Sequence, residues 1–411
     1  MNSAPLPHSS DPTASGLTRR RFLAGAGTTA AGLTLLAPQL ATGADAGPKV
    51  NLGLIGCGGR GKWITDLFVK HGGYNVTAVF DYFADRANEA GEKFGVPAAG
   101  RFSGLDGYRR LLEQKNVDAV AIESPPYFHP IHAAAAVDAG KHVYCAKPIA
   151  VDVPGCLTLA ETGKRATARN LVCLVDFQTR ANPTYREALR RVRKGDLGKL
   201  VMGEAHYPWS GGGREKPPPT AEERLRRWYH VRELSGDFIV EQAIHALDVA
   251  TWIIDADPVK ATGLGGQKLR PPEGIYDHFA LTYGFANGVP LSFTCIQTIP
   301  EMKDEIVARV YGSEGYIYTD YFGSVWIRGN EPYPGGSTGD LYKTGAQVNI
   351  HEFHQCITCG DCSNPTVAPS VRSNLTAILG REAAYRGHEV TLAQLLREKR
   401  RLEPDFRGAR T

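Results

Sequence analysis

The stretch Val50-Asn-Leu-Gly-Leu-Ile-Gly56-Cys-Gly58-Gly59-Arg60-Gly61 sets the fold of this 411-residue chain. Its first six residues are mostly apolar and read as a buried strand, the glycines mark a tight turn, and Ile64–Val69 has helical character. In this strand–turn–helix setting a G-x-G-x-x-G pattern is a dinucleotide fingerprint. Gly56 permits the turn, Gly58 lets backbone approach a pyrophosphate, and Gly61 lets the helix pack on the strand. The helix N-terminus then offers N–H groups and partial positive charge to the phosphates. The next strand, Val76–Phe80, ends at Asp81, about twenty residues past the last glycine. A carboxylate there accepts hydrogen bonds from both ribose hydroxyls and repels a 2′-phosphate, which favours NAD over NADP. The competing reading of Asp81 is a helix N-cap before Ala84–Phe94.

Working outward, further βα units follow: a helix near Tyr108–Gln114, the strand Val117–Ile122, a helix over about 130–139 and the strand Gly140–Cys145. This alternation predicts an α/β fold with an N-terminal, doubly wound parallel sheet of the Rossmann type. Ligands of such sheets lie beyond the carboxyl ends of the strands. Ser124, Pro125 and His129 fall beyond one such end, and Lys147 beyond another. The expected cofactor set is therefore Gly56, Gly58, Gly59, Arg60, Gly61, Asp81, Ser124, Pro125, His129 and Lys147.

The second half reads differently. Strands recur at 199–208, 261–267, 278–285, 289–297, 305–311 and 315–320, with an Ala286-Asn-Gly288 hairpin turn between two of them. The segments 208–219 and 328–345, rich in Gly and Pro, read as long loops, the second a candidate lid or partner arm. Glu241-x-x-x-His245-x-x-Asp248 has the spacing that brings three side chains to one helical face. Arg180 and Asn182 either reach a substrate or cap the helix near 183–193, and Tyr229 and His230 either face a substrate or pack.

Three segments together resemble the Gfo/Idh/MocA superfamily, named for glucose–fructose oxidoreductase and inositol dehydrogenase. They are the glycine turn; Ala139-Gly-Lys-His-Val143 leading to Lys147-Pro148; and Glu241-x-x-x-His245-x-x-Asp248. The likeness runs from about Val50 to the C-terminus. It implies a Rossmann domain followed by an α/β domain built on a large, mostly antiparallel open sheet, and hydride chemistry with NAD(P) on a sugar or polyol carbon. It also implies that Lys147, Glu241 and His245 are catalytic. The outer faces of such sheets often form oligomer contacts, so a homo-oligomer is expected, of unstated stoichiometry.

Oxidising a secondary alcohol removes the hydroxyl proton as hydride leaves the same carbon. A histidine near neutral pKa suits the proton, and a desolvated lysine suits the developing alkoxide. His245 is thus read as acid/base, Lys147 as its electrostatic partner and Glu241 as the group that orients substrate or His245. Asp248 anchors the helix or His245 from behind, and with Arg180, Tyr229 and His230 makes up the expected substrate set. Two departures from the family pattern stand out. Ala146 replaces the glutamate usual before Lys-Pro, and Glu241 replaces an aspartate. The first favours an altered site, and a redox-neutral NAD-dependent glycosidase or lyase working through a transient 3-keto intermediate is the alternative reading. The retained Lys147 favours plain alcohol–ketone chemistry. A sugar-binding or sensor protein with a fossil cofactor site is opposed by the intact turn, Asp81, Lys147 and His245.

Upstream, Thr18-Arg-Arg-Arg-Phe-Leu23, a weakly apolar run and Ala44-Asp-Ala46 read as a twin-arginine signal. The expected division is a leader over 1–46, the NAD-binding domain over 48–170, the substrate domain over 171–398 and a tail over 399–411. That pathway carries folded proteins, so the enzyme is expected to engage the twin-arginine machinery and carry its NAD out to the periplasm. No later stretch approaches the ~18 apolar residues of a membrane span. The net charge of +4 lacks the basic stripe that nucleic acid requires. Of eight cysteines, five sit in or beside apolar runs; Cys356-x-x-Cys359-x-x-Cys362 has part of a metal spacing but no convincing fourth ligand, and no metal is expected.

Overall fold

The computed structural model describes residues 47–410. Strands β1 (Val50–Ile55), β2 (Tyr74–Phe80), β3 (Arg101–Phe102), β4 (Ala119–Ile122), β5 (His142–Ala146) and β6 (Cys173–Asp176) form one parallel sheet in the order β3-β2-β1-β4-β5-β6. This is a doubly wound arrangement, with the order reversing between β1 and β4. Both faces are covered, which is why the strands are apolar throughout instead of alternating. Leu52 and Leu54 of β1 pack with Phe68, Tyr144 and Phe353, while Ile55 joins a second cluster with Phe80 and Ile122. Truncating either fully buried leucine to alanine costs about 2–5 kcal/mol.

The second sheet has nine strands: β7 (Leu200–Trp209), β8 (Pro258–Gly266), β9 (His278–Phe285), β10 (Pro290–Gln297), β11 (Val307–Gly312), β12 (Gly315–Asp320), β13 (Ser324–Gly329), β14 (Tyr333–Ser337) and β15 (Val390–Thr391). Their order is β14-β13-β12-β11-β7-β10-β9-β8-β15, antiparallel except where β7 meets β10. Successive residues alternate between buried and more exposed along β9 and β10, as a sheet covered on one side requires. Helix Val367–Arg386 lies against β8 and β9 on the covered side. No helix among the described residues is long and apolar enough to cross a membrane.

The structure redraws three expectations. The parallel sheet continues past residue 170, because β6 pairs with β5 through Asp176. The segment 328–345 is not a long loop: it finishes β13, supplies β14 and opens the helix Leu341–Cys359. Tyr333 and Ser337 pair across to β13, which the local Gly-Pro content concealed. Finally, 238–254 is two helices, Phe238–Glu241 and Ile244–Ile254, so Glu241 and His245 do not share one continuous helical face. The expected leader lies outside the described residues.

Candidate active site

The glycine turn leaves β1 at Gly56, whose φ of +100° suits no side chain readily. A Cβ there meets the carbonyl carbon of Glu123 at 2.5 Å, and one at Gly61 meets the Gly56 oxygen at 1.9 Å. Gly58 and Gly59 are different: nothing lies within 4 Å of a Cβ built on either. Their open side faces outward at the start of the helix Gly59–His71, where first-turn amides lack helical partners. Asp81, at the carboxyl end of β2, accepts from the Cys57 amide and the Phe83 amide, both at 2.9 Å. Burial raises its pKa, opposed by those two amides. Beside it a cleft is lined by Gly56, Gly58, Asp81, Ser124, Pro125 and Trp228 among others. Open glycines, a carboxylate at the second strand's end and this cleft fit a bound dinucleotide, whose phosphates the helix start would hold and whose ribose Asp81 would hold.

The other expected cofactor residues have narrower tasks. Ser124 Oγ pairs with His132 Nδ1 at 3.0 Å. His129 is buried, its two ring nitrogens each 2.6 Å from a carbonyl oxygen, one of Pro148 and one of Ser124. It thereby ties the loop after β4 to the Lys147-Pro148 turn. Arg60 contributes a backbone amide to the turn, but its guanidinium is committed elsewhere. It pairs with Glu123 at 3.1 Å and Asp176 at 2.7 Å, and donates to the Tyr342 hydroxyl at 2.6 Å. Burial opposes the Arg60 charge, and the two carboxylates outweigh that and raise its pKa. Glu123 is buried too, which pushes its carboxyl up to about 7 despite Arg60.

Lys147, Glu241 and His245 come together. Lys147 lies just beyond β5, and its ammonium donates to the Glu241 backbone carbonyl at 2.5 Å and sits 3.3 Å from Glu241 Oε1. His245, in the first turn of Ile244–Ile254, is buried and its Nδ1 has no hydrogen-bond partner. Burial drives its pKa well down, and the charges of Lys147 and Arg60 push the same way. The rings of Tyr321 and Phe177 lie 5.7 and 6.3 Å from it.

Buried polar groups hold this arrangement. Asp237, at a φ of +75°, accepts from the Phe238 amide at 2.6 Å and from the Tyr385 hydroxyl at 2.6 Å. Arg381 donates to Val151 O at 2.7 Å and Gly236 O at 2.9 Å. It thus staples the chain after Lys147 to the turn before Glu241. Asn374 accepts from the Ile149 amide and donates to Ala150 O, fixing the same Lys-Pro turn from a second side.

The expected substrate residues separate into two groups. Arg180 grips Asp248 through three contacts of 2.8–3.1 Å and lies over Trp252, which turns both residues onto each other and away from a ligand role. The reason is burial: Asp248 is fully enclosed and an unpaired charge there is untenable. Asn182 caps the helix Pro183–Lys194 by accepting from the Thr184 and Tyr185 amides. The Tyr229 hydroxyl lies 3.0 Å from Gln242 Oε1 and 2.9 Å from Gln297 Oε1, adjoining Glu241. His230 sits 3.4 Å from Glu215 on the Gly-rich loop. Sequence reading passed over Tyr321, Glu123 and the Arg60–Asp176 pairing. Glu123 and Tyr321 each directly follow a strand, β4 and β12, and that strand-end position was the available signal.

With this geometry in hand, comparison with known proteins is specific. Residues 50–175 match the oxidoreductase family model with an NAD-binding Rossmann fold, and residues 185–318 match the GFO/IDH/MocA C-terminal domain model. Together these matches span more than half of the chain, in the family's domain order, and the chain belongs to the Gfo/Idh/MocA oxidoreductases. It is an enzyme with an NAD-binding Rossmann domain. The chain is 26% identical over 274 residues to scyllo-inositol 2-dehydrogenase (NAD(+)) of Bacillus subtilis strain 168, covering 66% of this chain and 73% of that one. It is 31% identical over 211 residues to glycosyl hydrolase family 109 protein 1 of a Shewanella species, covering 46% and 45%. The fold matches levoglucosan dehydrogenase in complex with NADH and levoglucosan, with a TM-score of 0.69, 19% identity and coverage of 84% and 100%.

Proposed function

We propose that this protein is an NAD-dependent dehydrogenase of a sugar, polyol or glycoside CH–OH group, with Lys147, His245 and Glu241 as its catalytic residues. The carrying observation is the convergence of the Lys147 ammonium, the Glu241 carboxylate and a neutral, buried His245 beyond the carboxyl ends of the parallel strands. NAD, when bound, supplies the hydride acceptor. His245 takes the hydroxyl proton, for which it must be neutral, as burial keeps it. Lys147 stabilises negative charge developing on the same oxygen, and Glu241 holds Lys147 and orients the substrate. An aromatic series leads outward from His245 through Tyr321 and Phe322 to Trp209, at 5.7, 5.1 and 6.3 Å between successive rings. Such faces suit the apolar side of a sugar ring. The inositol and levoglucosan dehydrogenases named above support this substrate class.

The second reading is a redox-neutral glycosidase, favoured by Ala146 before Lys147 and by the family 109 glycosyl hydrolase relative. Export with a retained cofactor belongs to the proposal as well: it rests on the twin-arginine pattern at 18–23, since an enzyme outside the cytoplasm has little NAD to exchange. The test is to purify the protein, identify any nucleotide released on denaturation, and then supply inositols, levoglucosan and aryl glycosides. Growth of NADH absorbance supports the dehydrogenase, and release of the aryl group without net NADH supports the glycosidase. Neither activity, in a protein that holds no nucleotide, overturns both.

A further inference from the structure

The cleft beside Asp81 is not walled by the Rossmann domain alone. Leu225 and Trp228, from the segment that follows β7, line it opposite the turn. Leu225 is buried with Phe83, Val231 and Leu234 in a small apolar cluster separate from both main cores. Phe406 and Ala409, within a dozen residues of the chain end, pack onto the same cluster. Two parts of the second half of the chain, distant in sequence, therefore meet at the nucleotide cleft.

The C-terminal segment touches both sides of that cleft. Toward the Rossmann domain, the Phe406 ring lies 5.6 Å from Phe128 and 5.8 Å from Tyr127. The Leu105 amide donates to Arg410 O at 3.0 Å, and the Arg410 amide donates to the Tyr82 hydroxyl at 3.0 Å. Phe128 and Leu105 themselves line the cleft, as does Tyr82. Toward the wall, Arg224 donates to Asp405 O at 3.0 Å, and the Arg410 guanidinium reaches Glu222 at 3.2 Å. The segment is moored at its start, where the Leu402 amide donates to Asp152 at 2.9 Å. Without residues 405–410, the polar ties between wall and Rossmann domain among the described residues are Arg226 to Asp85, an exposed pair at 3.3 Å, and the same guanidinium over the Phe83 ring at 3.9 Å. Exposed pairs contribute little.

We propose that Leu225 and Trp228 form the outer wall of the adenosine subsite, and that residues 405–410 brace this wall so that the dinucleotide is held for many turnovers. This rests on the NAD-binding reading of the cleft. The position fits the ligand. The wall stands opposite Gly58 and beside Asp81, where the adenine half of a dinucleotide lies when its ribose is on the second strand. An indole and a leucine offer a flat, apolar surface to a purine. A ligand enclosed this way leaves only when the wall moves, so the brace acts on the dissociation rate more than on the association rate.

The test uses the full chain, the same chain ending at Pro404, and the full-length variants Phe406→Ala/Arg410→Ala and Trp228→Ala. Each is loaded with NADH and mixed with excess NAD+, and loss of bound-NADH fluorescence gives the dissociation rate. Thermal melting without nucleotide shows whether each variant is folded. The expected result is dissociation at least tenfold faster in the truncated chain and in both full-length variants, with less NAD(H) carried through purification. Unchanged dissociation in the folded Phe406→Ala/Arg410→Ala protein overturns the brace, and unchanged dissociation in Trp228→Ala overturns the wall. If the unaltered chain binds no NADH at all, the cofactor reading itself falls and the proposal with it.

Discussion

The turn at 56–61 and the segment 237–245 both aim groups into the active site, and they do so by opposite means. The turn is shaped by what is absent. Gly56 and Gly61 lie so close to neighbouring backbone that no side chain fits, and Gly58 and Gly59 leave open space. The segment 237–245 is shaped by what surrounds it. Asp237 holds an uncommon backbone angle because three donors fix its carboxylate, and Arg381 joins the preceding turn to the chain after Lys147. A motif made by sterics is legible wherever it occurs; a motif made by buried partners has no fixed local spelling.

The comparison can be tested at its catalytic end first. Lys147→Ala and His245→Ala should each lower kcat by about 10²–10⁴-fold in protein that thermal melting shows to be folded. Either variant retaining full activity would break the proposed mechanism. Next in size is Arg180→Met, which leaves Asp248 buried and uncompensated and should cost about 3–5 kcal/mol of stability in denaturant titration. A large rise in KM with stability intact would instead restore Arg180 to the substrate.

The turn gives a matched pair. Gly56→Ala should lose about 2–4 kcal/mol through its positive φ and the contact with Glu123, with NADH binding lost as well. Gly58→Ala, at a φ of −66° with open space around it, should melt within about 0.5 kcal/mol of the parent and yet bind NADH more weakly. Equal melting of the two would show that sterics do not shape the turn.

Titration of two buried histidines adds an effect that is graded with pH. Burial lowers His129 to about 4, opposed by its Pro148 and Ser124 carbonyl partners and aided by Lys147, and lowers His132 to about 3, aided by His129 and Arg109. The unfolded chain binds protons on them near pH 6.5, and the folded one does not until lower pH. Stability present above pH 6.5 should therefore fall as pH drops toward 4, by up to about 1.4 kcal/mol per pH unit for each histidine. His132→Phe should flatten the slope of melting temperature against pH; an unaltered slope would place the sensitivity elsewhere.

Much of the fold was legible because its signals are local. Strand–glycine–helix spacing located β1, the turn and Asp81, and the βα alternation implied the parallel sheet. Alternation with hairpin residues located β9 through β12. Three features escaped for one shared reason. The break between Glu241 and Ile244, the continuation of the parallel sheet to Asp176, and the strand and helix inside 328–345 each depend on partners far away in sequence. Arg180 escaped likewise, since nothing near it announces that Asp248 will be buried against it.

By itself, then, the sequence determined the class of chemistry and the parts for it: a nucleotide turn, a strand-end carboxylate, a lysine before a proline and a histidine four residues from a glutamate. These depend on backbone sterics and on residue type, which a linear chain carries. Only the tertiary structure decided which parts meet. It brought Lys147 to Glu241, left His245 neutral by enclosing it, spent Arg180 on Asp248, and laid the chain end beside the cleft at Asp81. Those outcomes follow from burial, which sets the cost of every charge and belongs to no residue alone.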